Sequence, residues 1–159
     1  IEQYLFAKYG GRVKTVYYNF PLDQGCNKDL KRTVYRNSCI ASRAFIAAAE
    51  AGFTEDYTVR HFSDYQNTHT RYDVNLALMA FRQMSPASRK GLDEARFQQM
   101  MYSAETNRQL EEHLVSAKEL GVDSTPTLFI GGRKLVGVPP MEILDQIIRN
   151  ELDRKGGSE

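Results

Sequence analysis

Two cysteines, Cys26 and Cys39, are the side chains of this sequence best suited to covalent chemistry. They lie 13 positions apart and do not form a Cys-x-x-Cys pair, and the three histidines do not cluster with them as zinc ligands would. Spacing alone leaves three states open: a structural disulfide, two free thiols with Cys39 buried as a small apolar residue, or a redox pair that exchanges electrons with another dithiol. The sequence predicts no metal site and no cofactor.

Other reactive or polarisable side chains fit structural roles. His61 and His113 are predicted to be surface residues or polar groups with ordinary hydrogen-bond partners. Short basic clusters at 12–14 and 31–32 are predicted to be solvated. Four methionines fall on apolar helical faces and are predicted to lie in the core, although methionines can also line a peptide groove. They are Met79, Met84, Met100 and Met101.

Length, composition and charge restrict the classes to which the protein can belong. The chain has 159 residues, 42% hydrophobic and 26% charged, which is typical of one soluble globular domain. The net charge of +1 has both signs interspersed, so no nucleic acid or anionic membrane partner is expected. The apolar runs are too short to span a bilayer. The opening Ile1-Glu2-Gln3 is unlike a signal peptide, and we expect a processed or truncated form.

The first third of the chain predicts a helix end, a strand and a second helix. Ile1 to Tyr9 places apolar residues on one helical face ahead of two glycines. Val13 to Phe20 is rich in β-branched and aromatic residues and is followed by Pro21, a pattern that indicates a strand. A polar loop then precedes a helix that begins at Ser38 and ends at Gly52.

Residues 54–120 form a block in which helix patterns replace strand patterns. Several helix candidates follow one another in this block. Asp73, Asp93 and Ser103 stand before three of them, where a side-chain oxygen can accept a hydrogen bond from the first helical turn. The block therefore predicts a helical subdomain inserted between strands.

The end of the chain predicts a hairpin and a helix. Two apolar runs flank Gly131-Gly132, and glycines suit the positive φ angles of a tight hairpin turn. Met141 to Leu152 has an amphipathic pattern and predicts a helix. Residues 153–159 are polar and glycine-rich and are expected to form a flexible tail.

Two motifs in this order of elements carry a resemblance to a known family. The stretch GVDSTPTLFIGGR at 121–133 resembles the GV-x-x-TP-T-x-x-[VI]-[ND]-G stretch of DsbA-like proteins of the thioredoxin fold. The segment YNFPLD at 18–23 resembles the [FY]-x-x-[FY]-P-L that ends the second strand in that family. The resemblance extends from Ile1 to about Leu152.

The resemblance implies an α/β fold, namely a thioredoxin-like mixed sheet in one domain over 1–159 with the helical subdomain inserted at 54–120. It also implies a cis peptide bond between Thr125 and Pro126, in a loop that positions the substrate beside the redox disulfide. A proline at the start of a strand fits this place, because proline cannot donate a hydrogen bond to a neighbouring strand.

The chain departs from the family in lacking Cys-x-x-Cys. In the family, a strand and a helix that begins with this motif precede the residues seen here, so we expect the protein to continue upstream. No residue of this chain inherits the role of the nucleophilic thiolate. The missing strand would leave the edges of the two neighbouring strands unpaired, and we expect a partner chain, as in a homo-oligomer, to complete the sheet if the chain acts alone.

The resemblance implies thiol–disulfide exchange with protein substrates through a mixed disulfide, together with a redox partner protein. It implies a periplasmic or other extracytoplasmic location, where a structural disulfide between Cys26 and Cys39 would persist. The chain by itself is expected to be inactive. Two alternatives stay open: a non-catalytic binding module on the same fold, and a relative of the kappa-type glutathione transferases and isomerases.

Overall fold

The computed structural model describes residues 2–68 and 72–156 of the chain. They fall into two compact units, one up to Val115 and one from Ser116 onward. The helices are α1 (Glu2–Tyr9), α2 (Ser38–Glu50), α3 (Thr54–Thr68), α4 (Val74–Arg82), α5 (Glu94–Met101), α6 (Ala104–Glu119) and α7 (Met141–Gly156), with a short 3-10 helix at Gly10–Arg12; the strands are β1 (Thr127–Ile130) and β2 (Arg133–Val136).

The core of the first unit lies among α2, α3, α4 and α5. Ala44, Ala47 and Ala48 on α2 are completely buried, and their small size lets aromatic side chains approach closely. Phe81 and Phe97 stack with ring centroids 4.6 Å apart. Since α2 precedes the predicted insertion and shares this core, the helices of 54–120 do not form a separate core in the described residues.

The predicted N-caps of three helices are confirmed. Asp73 accepts a hydrogen bond from the backbone N–H of Leu76 at 3.0 Å, at the start of α4. Asp93 accepts one at the start of α5, and the hydroxyl of Ser103 accepts one at the start of α6. Each of these bonds satisfies a backbone donor that has no partner within its helix. Short-range signals therefore predicted the helix starts of this unit well.

The strand predicted at Val13 to Phe20 is not formed, and that prediction was wrong. Val13 has extended dihedral angles, φ −121° and ψ 121°. Within the described residues, positions 14–20 make no backbone-to-backbone hydrogen bond, and Val16, Tyr17 and Tyr18 each expose more than half of their surface. A strand requires a neighbouring strand for its ladder hydrogen bonds, and the described part of the chain supplies none here.

The predicted hairpin of the second unit is confirmed. Strands β1 and β2 pair antiparallel, with Ile130 opposite Arg133. Gly131 and Gly132 form the turn with φ angles of 57° and 82°, as a type I′ turn requires. Helix α7 contacts β1 and buries Leu144 within this unit.

Helix α7 is longer than the sequence pattern indicated. It continues to Gly156, so residues 153–156 are helical where a flexible tail was predicted. The guanidinium of Arg154 forms an ion pair with Glu151 one turn earlier at 2.6 Å, which supports the last turns of the helix. Residues 157–159 lie outside the described part of the chain.

Replacing Gly131 with alanine should destabilise the hairpin more than the same change at Gly132. Both glycines have positive φ, so alanine costs roughly 1 kcal/mol at either position. A Cβ atom at Gly131 would additionally overlap the carboxyl end of the Glu151 side chain, which would have to turn away from its ion pair with Arg154, whereas one at Gly132 would meet nothing within 4 Å. Urea unfolding of the two variants measures the difference, and adding Glu151→Ala should remove it. Equal losses before that addition would contradict the proposed clash.

Candidate functional site

A disulfide joins Cys26 and Cys39, whose Cα atoms lie 6.0 Å apart. Cys39 lies in the first turn of α2 and is buried, whereas Cys26 lies in a turn of the preceding loop and is partly exposed. Of the three states that spacing left open, the structure contains the disulfide. The bond fastens the loop that precedes α2 to the first turn of that helix.

Asp23 organises the two ends of this disulfide-closed loop. Its carboxylate accepts a hydrogen bond from the backbone N–H of Gly25 at 2.9 Å and another from the N–H of Asn37 at 2.6 Å. Its main-chain carbonyl accepts from the N–H of Asn27 at 3.0 Å and lies 3.5 Å from Sγ of Cys39. An aspartate in such a turn is a common local signal, but its long-range contact with Asn37 is not visible in the sequence.

The residue before Asp23 holds the middle of the loop. The carbonyl oxygen of Leu22 accepts hydrogen bonds from the N–H groups of Val34 and Tyr35 at 2.8 and 3.1 Å. The buried side chain of Asn27 donates to the carbonyl of Pro21 at 3.0 Å. Pro21, Leu22 and Asp23, at the end of the YNFPLD segment, therefore accept the hydrogen bonds that hold the loop in place.

The Thr125–Pro126 peptide bond is cis, and both residues are exposed. The carbonyl oxygen of Pro126 accepts a hydrogen bond from the N–H of Gly137 at 2.8 Å, which extends the hairpin pairing by one step. The hydroxyl of Thr127 donates to the carbonyl of Ser124 at 2.7 Å. The loop is therefore fastened on both sides of the proline, while its own surface stays open.

The chain enters this loop from a well-capped helix end. Gly121 follows α6 with φ 61°, and the N–H of Val122 donates back to the carbonyl of Ala117 at 2.7 Å. This pattern satisfies carbonyl groups that the end of a helix leaves without partners. The ammonium group of Lys134, on β2, donates to the carbonyl of Leu120 at 3.2 Å and adds a favourable positive charge at that end.

Strand β1 has one free edge in the described residues. The sheet contains β1 and β2 alone, with Leu128 opposite Leu135 and Ile130 opposite Arg133. In a hairpin with a two-residue turn, the closing pair and every second pair exchange backbone hydrogen bonds. The intervening residues, Thr127 and Phe129, therefore direct their N–H and C=O groups away from β2. This edge begins directly after Pro126.

His61 lies in an aromatic pocket that sequence reasoning did not detect. Its ring is 4.6 Å from that of Phe45 and 5.1 Å from that of Tyr72, and its Nδ1 lies 3.2 Å from the Tyr72 hydroxyl. The histidine is only 6% exposed. This burial lowers the pKa of His61 to about 4, because the surroundings offer little solvation to a cation. Of the two predicted roles, His61 has that of a buried polar group with a partner.

His113 on α6 holds the end of the extended segment 13–20. Its Nδ1 accepts a hydrogen bond from the backbone N–H of Asn19 at 3.3 Å, and its ring packs on Tyr18 at 4.9 Å. Partial burial lowers the pKa of His113, and Glu112 acts in the opposite direction. Spacing in the sequence offered no signal for this contact, because 94 positions separate the two hydrogen-bonded residues.

In the described part of the chain, no group of three or more histidine, cysteine or acidic residues is arranged to hold a metal ion. None of the described helices combines the length and the apolar character needed to cross a membrane. The predicted site residues fall into two sets. Cys26 and Cys39 are bonded to each other in the first unit, and Thr125 and Pro126 belong to the second.

A hairpin preceded by a threonine–proline loop, together with a helical insertion, defines a thioredoxin-like α/β class of protein. The family model for the DSBA-like thioredoxin domain matches residues 3–149 and so covers both motifs. The chain belongs to the DSBA-like thioredoxin-domain family, and the fold class predicted from the two motifs is confirmed. Neither the curated proteins nor the solved structures contain a match.

Proposed function

We propose that the protein catalyses disulfide formation or exchange in protein substrates, with its redox Cys-x-x-Cys encoded upstream of residue 1. The family match over residues 3–149 is the observation that carries this proposal. Neither cysteine of the chain belongs to a Cys-x-x-Cys, and both are engaged in one disulfide. The 159 residues alone would therefore lack the nucleophile, and their part in the reaction is to build the fold and position the substrate.

The substrate-positioning role belongs to Thr125 and Pro126. Both residues are exposed at the point where the chain enters β1, and hydrogen bonds on each side hold their loop in place. The free edge of β1 offers the backbone groups of Thr127 and Phe129 to the expected upstream strand. A substrate segment can then lie beside Thr125 in extended form, recognised through its backbone rather than its side chains. Such recognition suits an enzyme that acts on many proteins.

The Cys26–Cys39 disulfide has a structural role in this proposal. Cys39 is 5% exposed, so an attacking thiolate could approach this disulfide only at the partly exposed Cys26. A structural disulfide persists in oxidising compartments, which favours a periplasmic or other extracytoplasmic location. Protein substrates and a redox partner protein are then the expected partners. The homo-oligomer that would complete the sheet stays a prediction.

The proposal predicts two classes of cysteine in the protein expressed from its complete gene. The intact mass is measured after alkylation, before and after graded reduction. We expect four cysteines, of which the Cys-x-x-Cys pair becomes alkylated under mild reduction and Cys26 and Cys39 only after unfolding. The exposed pair should exchange rapidly with glutathione, because the start of a helix stabilises its thiolate.

Two other results would replace the proposal. A complete protein with Cys26 and Cys39 as its only cysteines would exclude the oxidoreductase and favour a binding module on this fold. Retention on immobilised glutathione, without any exchange of the bound thiol into a mixed disulfide, would favour a relative of the kappa-type glutathione transferases. Both results are obtained from the same purified sample. The intact mass after alkylation counts the cysteines, so it shows whether an inactive sample lacks the Cys-x-x-Cys or contains it in an inactive protein.

A further inference from the structure

We propose that the disulfide-closed loop carries a docking surface for an acidic protein segment with an apolar anchor. The surface consists of Lys31, Arg32, Val34, Tyr35 and Arg36, and is called the basic loop surface below. All five residues are exposed. The inference concerns partner recognition in the first unit and does not depend on the redox chemistry proposed above.

Positive charge is concentrated in this loop. Between the two cysteines the chain carries four basic residues and one acidic residue, a local charge of +3 in a protein whose net charge is +1. The acidic residue is Asp29, and the basic ones are Lys28, Lys31, Arg32 and Arg36. A field of one sign on a small surface attracts ligands of the opposite sign and speeds their encounter.

Three of these cations lack the acidic partners that five helical arginines have. Within the described residues, the side chains of Lys31, Arg32 and Arg36 take part in no hydrogen bond and no ion pair. Five exposed arginines on the helices, by contrast, are paired with acids on the same or a neighbouring helix, whereas Arg96 donates to the amide oxygen of Gln99. These pairs are Arg60–Asp56, Arg82–Glu94, Arg108–Glu105, Arg149–Asp145 and Arg154–Glu151.

Two apolar side chains accompany the unpaired cations. Val34 is 53% exposed and Tyr35 is 51% exposed, although the backbone of both is fixed by the carbonyl oxygen of Leu22. A tyrosine and arginines on a fixed backbone are the residue types that supply most of the binding energy in protein interfaces. The basic loop surface therefore combines long-range electrostatic attraction, from its cations, with apolar contact area on Val34 and Tyr35.

The loop is organised before any partner arrives. The disulfide, the Asp23 carboxylate and Leu22 hold it at its ends and at its middle. A partner then loses little free energy in ordering the backbone of this surface, and the cost falls mainly on the long basic side chains. The partner that fits is an acidic segment with one or two apolar residues placed among its carboxylates.

The test uses a short fluorescein-labelled peptide in which glutamates surround a pair of leucines, titrated with the protein and followed by fluorescence anisotropy. Changing Lys31, Arg32 and Arg36 together to glutamine should weaken binding by about tenfold or more, since three complementary charges are lost. Tyr35→Ser should weaken it several-fold. Added salt should weaken the wild-type complex strongly and the triple variant only slightly.

The matched control removes three exposed cations elsewhere, Lys14, Arg96 and Arg133, which changes the net charge equally. This control should bind within about twofold of the wild type, because its changes lie outside the basic loop surface. Equal weakening by both triple variants, or no measurable binding by the wild type, would overturn the proposal. So would a preference for phosphatidylserine vesicles over the peptide, which would assign the surface to lipid. Thermal unfolding confirms that each variant is folded.

Discussion

Replacing Cys26 and Cys39 with alanine is expected to lower the free energy of unfolding by about 3 kcal/mol. The disulfide closes a loop over a sequence separation of 13, and its removal lets the unfolded chain occupy many more conformations. The folded state also loses a fixed link between α2 and the Asp23 turn. Urea unfolding of the oxidised wild type and of the double variant, under identical conditions, measures the difference.

Reduction supplies the control for this prediction. The wild type in excess reductant should unfold at the urea concentration of the double variant, and the variant itself should not respond to reductant. The single change Cys26→Ala should lose as much as the double change, because the remaining cysteine cannot form the bond alone. If the oxidised wild type and the double variant were equally stable, the disulfide would contribute nothing to the fold, and a role in redox exchange would become the better explanation.

Acid is expected to destabilise the first unit through His61. Burial lowers the pKa of this histidine to about 4 in the folded state, against about 6.5 in an unfolded chain. The folded state therefore binds fewer protons than the unfolded state between these values, and its stability falls as the pH falls. The contribution of His61 is complete above pH 6.5 and is lost progressively down to about pH 4, by about 3 kcal/mol in total.

His61→Phe isolates this contribution, because phenylalanine keeps an aromatic ring in the pocket and does not titrate. The free energy of unfolding is measured by urea at several pH values from 7 down to 4, with the wild type in parallel. The variant should lose about 3 kcal/mol less than the wild type over this range. His113→Gln should reduce the acid loss much less, because His113 is only partly buried. Parallel curves for wild type and His61→Phe would show that other groups cause the acid sensitivity.

Features encoded by neighbouring residues were predictable from the sequence. The turn at Gly131-Gly132 and the caps at Asp73 and Asp93 each depend on residues within a few positions, and the structure contains all of them. The two family motifs were also short and local. For such features, the backbone preferences of glycine and the side-chain oxygen of aspartate are sufficient physical reasons.

Features that depend on distant partners were not predictable. Val13 to Phe20 has the composition of a strand, but composition cannot supply the neighbouring strand whose hydrogen bonds a strand requires. His61 was described only in general terms, because its pocket includes Phe45 and Tyr72 from other helices and loops. The link from Asp23 to Asn37 crosses 14 positions of irregular chain. In each case the missing information was which segments meet.

The pocket around His61 also affects how the protein responds to base. The chain contains no tryptophan and nine tyrosines, so its near-ultraviolet absorbance comes mainly from phenol rings. Tyr57 and Tyr72 are buried, and this burial raises the pKa of both phenols well above that of a tyrosine in water. The two buried phenols therefore resist ionisation on alkaline titration, and they ionise only as the core opens. One aromatic cluster therefore limits the stability of the folded state in acid, through His61, and in base, through Tyr57 and Tyr72.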